Sequence, residues 1–334
     1  MKTMIVAELS ANHGHKIEIA KQTIQAAAEA GADAVKLQTY KPESLTLDVD
    51  NEDFVLKGGL WDGERLFDLY RKAFTPYEWH AELFDYARSL GLICFSTPFD
   101  KKAVDLLESL DNPIYKIASF EVMHTELIRY AARLGKPMVI STGVASAREI
   151  EEAIAACHEV GNDDITLLKC TSAYPARIED AQLSLMTRMR ERFGVKVGLS
   201  DHSPGSMLPI LSVALGGVMI EKHLILDRNI GGPDAAFSMD IEEFAKMVRD
   251  VRMAEEALLA KGDINESEST DIAGRQWARS LYASAAIAEG EVFTEQNVAC
   301  VRPGYGLHPR HLHDLLGSPS KKAYQKGERI IFNE

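Results

Sequence analysis

The fold turns on the opening stretch, 4-MIVAELSANHGHKIEIAKQTIQAAAEAGADAVKLQTY-40. Residues 4–10 are a short apolar run. Residues 17–30 set Ile17, Ala20, Ile24, Ala27 and Ala28 on one stripe at helical spacing, and residues 34–40 are a second apolar run. The stretch reads strand, helix, strand. Six more apolar runs follow, at 92–98, 114–119, 138–143, 165–172, 196–202 and 218–224, with amphipathic stretches between most of them. In 147–160 the residues Ile150, Ala153, Ile154 and Cys157 align; 180–193 and 240–259 also read as helices, the last with Asp240 and Glu243 at capping-box spacing.

Eight strand–helix units within residues 1–260 predict an α/β fold, a (β/α)8 TIM barrel. An open doubly wound sheet is the structural rival; the count of eight and the absence of a GxGxxG turn favour the barrel. Residues 41–76, with DNEDF, GGLWDG and two aromatic clusters, form a long insertion after the second strand, where barrel loops build active sites. Residues 261–275 begin with the polar KGDINESEST and read as a linker. Residues 276–334 read as a small β-rich domain with Gly and Pro turns and one helical piece around 310–316.

The chain has 334 residues, with 37 Lys and Arg against 50 Asp and Glu, a net charge of −13. That balance, with no long basic run, argues against nucleic acid as a partner. No apolar run is long enough to span a membrane, and the N-terminus lacks a signal-peptide pattern. The four cysteines form no CxxC pair and fit a reduced, cytoplasmic protein. Cys170 reads as a small apolar residue packed in a strand, with a catalytic thiol as the lesser alternative.

Polar residues gather at the C-terminal ends of the strands, which converge on one mouth in a closed barrel. Lys36 and Lys116 lie inside apolar strands, where snorkelling to solvent is hard. With Thr97, Ser119, Ser141, Ser172 and Ser200 around them they make an oxyanion site for phosphate or carboxylate. A Schiff-base lysine, and hence a class I aldolase, is the competing chemistry. His202 and His223 stand at equivalent depth on strands seven and eight, about 4.8 Å apart. Two imidazoles with open positions suit a divalent ion such as Mn²⁺, Mg²⁺ or Zn²⁺. Glu8, Glu121, Glu221 and Asp234 offer carboxylates for ligation, sugar hydroxyls or proton transfer. The Gly-rich loop of the small domain that carries Arg302 reads either as an ordinary turn or as a loop whose Arg closes over an anionic or acetamido sugar.

The ordered motifs AELSANHG, AVKLQTY, STPFD, YKIASFE, ISTG, LLKCTSAYP, GLSDHS, IEKHLILD, GGPDAAFS and RPGYGLHP resemble the sialic acid (nonulosonic acid) synthase family over essentially the whole chain. LQTY, the DNEDF…GGLWDG insertion and GGPDAAFS resemble its pseudaminic branch. The resemblance implies a TIM barrel followed by an antifreeze-like (SAF) domain, in a homodimer whose domain-swapped tails cap the partner's site. It implies condensation of phosphoenolpyruvate with an acetamido amino sugar, in this branch 2,4-diacetamido-2,4,6-trideoxy-L-altrose, assisted by a divalent metal (Mn²⁺ first, then Mg²⁺ or Co²⁺). Carried over by motif, Lys36, Thr97, Lys116, Ser119, Ser141, Ser172 and Ser200 would hold phosphoenolpyruvate, and His202 and His223 the metal. Gln38, Tyr174, Asp234 and Arg302 would face the sugar, with Glu8 and Glu121 as candidate catalytic carboxylates that also face it. Ser172 stands where the sialic branch usually has Asn, and Ala235 where it has His, which argues against N-acetylmannosamine as acceptor. N-acetylneuraminate or legionaminate synthesis is the alternative within the family, and a non-catalytic sugar- or ice-binding protein the alternative outside it.

Overall fold

The computed structural model of the chain describes residues 2–259 and 273–331. Residues 260–272, most of the expected linker, lie outside the described residues. Two compact units divide at Ala260 and Lys261.

The first unit is a closed barrel of eight parallel strands in sequence order: β1 (Met4–Glu8), β2 (Ala34–Thr39), β3 (Ile93–Pro98), β4 (Tyr115–Ile117), β5 (Met138–Ser141), β6 (Ile165–Cys170), β7 (Lys196–Asp201) and β8 (Met219–His223). The barrel closes where β1 pairs with β8 over five residues, from Met4 opposite Met219 to Glu8 opposite His223. Every strand starts within one residue of the sequence reading, and most stop earlier. In those runs the final residues have already left the ladder for the loops.

Alternation along the strands sorts the side chains. Ile5, Ala7, Val35, Leu37, Ile117, Ile140 and Ile220 point outward and pack beneath the helices. Val6, Ala34, Phe95, Ile114, Val139, Leu168 and Met219 fill the inside as an apolar plug. One step further along the same inward-facing rows the residues become Glu8, Lys36, Thr97, Lys116, Ser141, Cys170 and Glu221. The polar layer therefore sits on a dry floor.

The helices begin where short polar side chains satisfy their first N–H groups. Ser146 and Glu149 form a reciprocal capping box ahead of helix Ala147–His158. Asp240 and Glu243 do the same for Ile241–Leu259, the Glu243 amide donating to Asp240 at 2.9 Å. The helix expected over 180–193 is shorter, Leu185–Phe193. A 3-10 turn covers Ile178–Ala181, and Gln182 then takes a left-handed backbone (φ 44°) that no helix continues through.

Behind the mouth, outward-facing Lys222 of β8 pairs with outward-facing Asp201 of β7 at 2.9 Å. Lys222 also donates to the Ser203 carbonyl, and the Ser203 amide donates to Asp201 at 2.9 Å. Both side chains are almost fully buried. This clamp fixes the ends of the two strands that carry His202 and His223.

The second unit pairs β9 (Ser280–Ala283) with antiparallel β10 (Val298–Val301). Leu281, Ile287, Phe293, Val298, Tyr324 and Ile330 make its core. A 3-10 turn (Pro309–His311) and a short helix (Leu312–Leu315) stand where the helical piece is expected.

Lys222→Met leaves Asp201 buried without its cation. It is expected to cost about 3–5 kcal/mol of barrel stability, read as a lowered urea midpoint. Lys222→Met/Asp201→Leu, which removes both charges, is expected to lose less than the single variant; an equal or larger loss overturns the assignment of the clamp.

Candidate active site

The mouth is organised around Glu221, which comes up from β8 between two ammonium groups. Its Oε1 lies 3.0 Å from Lys116 Nζ and 3.2 Å from Lys36 Nζ, and accepts from Ser200 Oγ at 3.2 Å. Lys36 reaches Glu8 at 2.9 Å and donates to Thr97 Oγ1 at 3.3 Å. All four ionisable groups are buried. The sequence reading left the lysines free to meet an anion; here they are already held by carboxylates.

Burial disfavours every charge in this layer, and the neighbours decide which survive. Burial raises Glu221, but Lys116 and Lys36 outweigh it and hold the carboxyl well below the usual range. Burial lifts Glu8 to about 7, with the Glu221 charge adding to the lift against the pull of Lys36. Burial likewise lifts Glu121 to about 7, against its own backbone hydrogen bond and the two lysines. Burial lowers Lys116, and the like charge of Lys36 lowers it further, against Glu221. Glu8 and Glu121 are thus two acids able to exchange protons near neutrality, and Glu221 stays ionised.

Beside the lysines, Ser119 and Ser172 converge on Gly143, two residues after Ser141. The Gly143 amide donates to Ser119 Oγ at 3.2 Å. A Cβ on Gly143 would meet Ser172 Oγ at 2.2 Å and Ser119 Oγ at 2.9 Å. Ser141 Oγ and Glu121 Oε2 are buried polar atoms without a partner. Unpartnered buried donors and acceptors are costly, and here they line a cradle backed by two ammonium groups. The sequence reading did not single out Gly143; its place between two hydroxyl-bearing strand ends was the available signal.

The imidazoles of His202 and His223 lie 5.2 Å apart between centroids. His202 Nδ1 donates to the Thr171 carbonyl at 3.1 Å, and the ring also hydrogen-bonds the Cys170 thiol; burial opposes protonation, but these partners raise His202 above its ordinary value. Burial, and then the positive character of His202, push His223 well below its ordinary value, and its buried Nδ1 has no hydrogen-bond partner. That nitrogen is 3.9 Å from Asp234 Oδ2. Two adjacent imidazoles, one with an unpartnered buried nitrogen and the other oriented by a backbone carbonyl, would suit a divalent ion. Among the described residues no group of three or more His, Cys, Asp or Glu side chains could hold a metal ion, so an ion here would take two protein ligands and leave other positions to solvent or substrate.

Gln38 donates to Glu8 at 2.9 Å and to Ser10 at 2.8 Å. Ser10 in turn donates to Asp234, and its backbone is left-handed (φ 43°). Ser10 was not anticipated; nothing in its local pattern announces it. Tyr174 packs on His202 with centroids 4.5 Å apart, and Phe237 touches His223 at 5.0 Å and Tyr174 at 5.0 Å. Trp61 of the 41–76 insertion reaches Tyr174 at 5.7 Å and donates its indole N–H to the Pro233 carbonyl at 3.1 Å. Phe237 and Trp61 were missed because an aromatic residue in a loop carries no period to place it. Cys170 faces inward, buried among these groups; burial opposes ionisation, but hydrogen bonding to His202 brings the thiol down to about 7. Arg302 belongs to the second unit.

The NeuB family pattern matches residues 23–263, and the SAF domain pattern matches residues 278–330. Pseudaminic acid synthase of Helicobacter pylori (strain ATCC 700392 / 26695) is 49% identical over 320 residues, covering 95% of this chain and 93% of that protein. Pseudaminic acid synthase of Campylobacter jejuni subsp. jejuni (strain 81-176) is 47% identical over 329 residues, covering 98% and 95%. A solved structure of N-acetylneuraminic acid (sialic acid) synthetase from Leptospira borgpetersenii, in complex with citrate, superposes with TM-score 0.71 at 30% identity, covering 80% of this chain and 88% of that one.

Gly143→Ala fills the hydroxyl cradle without forcing a left-handed backbone. It is expected to weaken binding of phosphoenolpyruvate by at least about tenfold, the loss of one or two hydrogen bonds to a charged group. Calorimetric titration checks this, with an unchanged circular dichroism spectrum showing that the barrel is intact. Undiminished affinity would place the anion elsewhere.

Proposed function

The chain belongs to the NeuB family, and we propose that it condenses phosphoenolpyruvate with 2,4-diacetamido-2,4,6-trideoxy-L-altrose and water to give pseudaminic acid and phosphate. One observation carries this reading: two buried ammonium groups, a hydroxyl cradle with unpartnered atoms and an imidazole pair share one barrel mouth. Identity of 47–49% to pseudaminic acid synthases, against 30% to the N-acetylneuraminic acid synthetase, supports the choice of sugar.

In this reading the cradle of Ser119, Ser141, Ser172 and the Gly143 region holds the phosphate, and Lys36 and Lys116 offset its charge together with Thr97 and Ser200. Gln38, Asp234 and Tyr174 orient the sugar. His202 and His223 would hold a divalent ion, with Mn²⁺ the best candidate and Mg²⁺ or Co²⁺ as alternatives; such an ion supplies Lewis-acid polarisation of the sugar aldehyde. C3 of phosphoenolpyruvate bonds to the aldehyde carbon, and positive charge develops at C2. The carboxylate of Glu221, kept ionised by two lysines, faces that charge. Water adds at C2 and gives one proton to the carboxylate that Glu121 becomes on protonating the sugar oxygen; the other leaves with phosphate as the C2–O bond breaks and the C2 ketone forms. The proton needed by the former aldehyde oxygen comes from Glu121, whose raised value keeps it protonated up to about pH 7. Glu8 is the alternative donor.

We assign the second unit to a homodimer in which each tail caps the partner's mouth and Arg302 reaches the sugar. Exposed Phe120, Met123, Val144, Ile178 and Met207 on the loops after β4 to β7 support a covering partner. Four free thiols, and the lack among the described residues of any helix long and apolar enough to cross a membrane, suit a cytoplasmic location.

Phosphate release is expected to need both substrates and a divalent ion, and EDTA-stripped protein to regain activity on adding Mn²⁺. His223→Ala is expected to abolish turnover while phosphoenolpyruvate still binds; full turnover by stripped protein would remove the metal from the scheme. Because the protonated acid is the working form, kcat/KM should fall as pH rises through about 7. Glu121→Gln should lower kcat by about 10²-fold or more and flatten that limb; an unmoved limb transfers the proton to Glu8. Mixing Arg302→Ala with His202→Ala protein should restore part of the activity by subunit exchange. No recovery would mean that the tail does not act across the dimer.

A further inference from the structure

The 41–76 insertion has no part in holding the anion or the imidazoles, yet its tip enters the mouth. Its base is anchored on the loop after β1: His13 Nε2 meets Thr75 Oγ1 at 3.2 Å, and the His15 ring lies against Phe74 at 5.0 Å. Its tip is closed on itself. The Leu56 amide donates to Glu64 and the Gly63 amide to Leu56, both at 2.9 Å. Gly58 and Gly63 turn the chain with positive φ, and the turn between them carries Trp61.

Trp61 sits in a defined relation to the reacting end. Tyr174 stacks on His202 at 4.5 Å, and Trp61 lies beyond Tyr174 at 5.7 Å. An open-chain six-carbon sugar spans roughly 6 Å from C1 to C6, given single bonds of about 1.5 Å. With C1 at the imidazoles, the chain runs past Tyr174 toward the indole. The indole N–H is already occupied by the Pro233 carbonyl, one residue before Asp234. Trp61 therefore has no donor left for a hydroxyl and offers only its ring.

We propose that Trp61 is the specificity-determining residue for the distal end of the acceptor sugar, selecting a C6 methyl over a hydroxymethyl group. This rests on the proposed reaction and names the part of the acceptor that the insertion reads. A methyl on an aromatic face is buried without loss, whereas a hydroxyl there gives up its hydrogen bonds to water. A pocket of this kind discriminates by about tenfold to a hundredfold.

The test compares 2,4-diacetamido-2,4,6-trideoxy-L-altrose with its 6-hydroxy counterpart, using phosphate release by the full-length wild type, Trp61→Ala and Trp61→Phe. The wild type is expected to favour the 6-deoxy sugar in kcat/KM by about tenfold or more. Trp61→Ala should raise KM for the 6-deoxy sugar, leave KM for phosphoenolpyruvate unchanged and bring the two sugars close to parity; Trp61→Phe should restore most of the preference. An unchanged preference in Trp61→Ala, or a KM for phosphoenolpyruvate that rises in step, overturns the role of Trp61 and leaves the proposed reaction standing. A wild type that turns over neither sugar overturns the reaction and this assignment with it.

Discussion

The structure depends on the sharing of one buried carboxylate, Glu221, between Lys36 and Lys116. Two ammonium groups cannot stand together inside a protein unless something offsets them, because the desolvation of each costs several kcal/mol and their mutual repulsion adds to it. Glu221 meets both from the opposite wall, which is possible only if the sheet is closed. The charge layer and the closed barrel are therefore conditions of each other: an open sheet would leave the lysines of β2 and β4 out of reach of β8.

That balance also explains why the layer is ready for an anion. Glu8 and Glu121, each lifted to about 7, sit at the point where a small change in field decides their protonation. A bound phosphate and carboxylate add negative charge beside them and favour the protonated forms. Protonation of Glu8 would free Lys36 from one of its two carboxylates to meet the ligand, while Glu221 stays ionised between the lysines.

The fold was largely legible in the sequence, since apolar strands and amphipathic stripes are local signals. The strand runs of 4–10 and 34–40 overshoot their observed ends for a physical reason. Ser10 and Tyr40 belong to loops that hold the site, and polar residues at a strand's C-terminal end read as part of the strand. The inward direction of Glu8, Lys36, Lys116, Ser141 and Glu221 follows from the period of two. Which of them meet does not, because the contacts of Glu221 cross the barrel from β8 to β2 and β4, and sequence distance says nothing about that crossing. Trp61, Phe237, Ser10 and Gly143 were missed for a related reason: each acts through a loop, where no period fixes direction. The span 180–193 misled because its polar and apolar residues keep helical spacing across Gln182, whose left-handed backbone interrupts the helix.

The imidazole pair shows how the two sides of a strand divide their work. Asp201 stands opposite Lys222 and Ser200 opposite Glu221 in the pairing of β7 with β8, so His202 and His223 leave the ladder level with each other. The residues facing outward form a buried ion pair that locks this register, and those facing inward form the layer that carries chemistry. A slip of one residue would turn every side chain to the other face. It would place Lys222 in the mouth and bury His223 beneath a helix, so the register that the Lys222–Asp201 pair secures is the same register that lets the two histidines face one ligand.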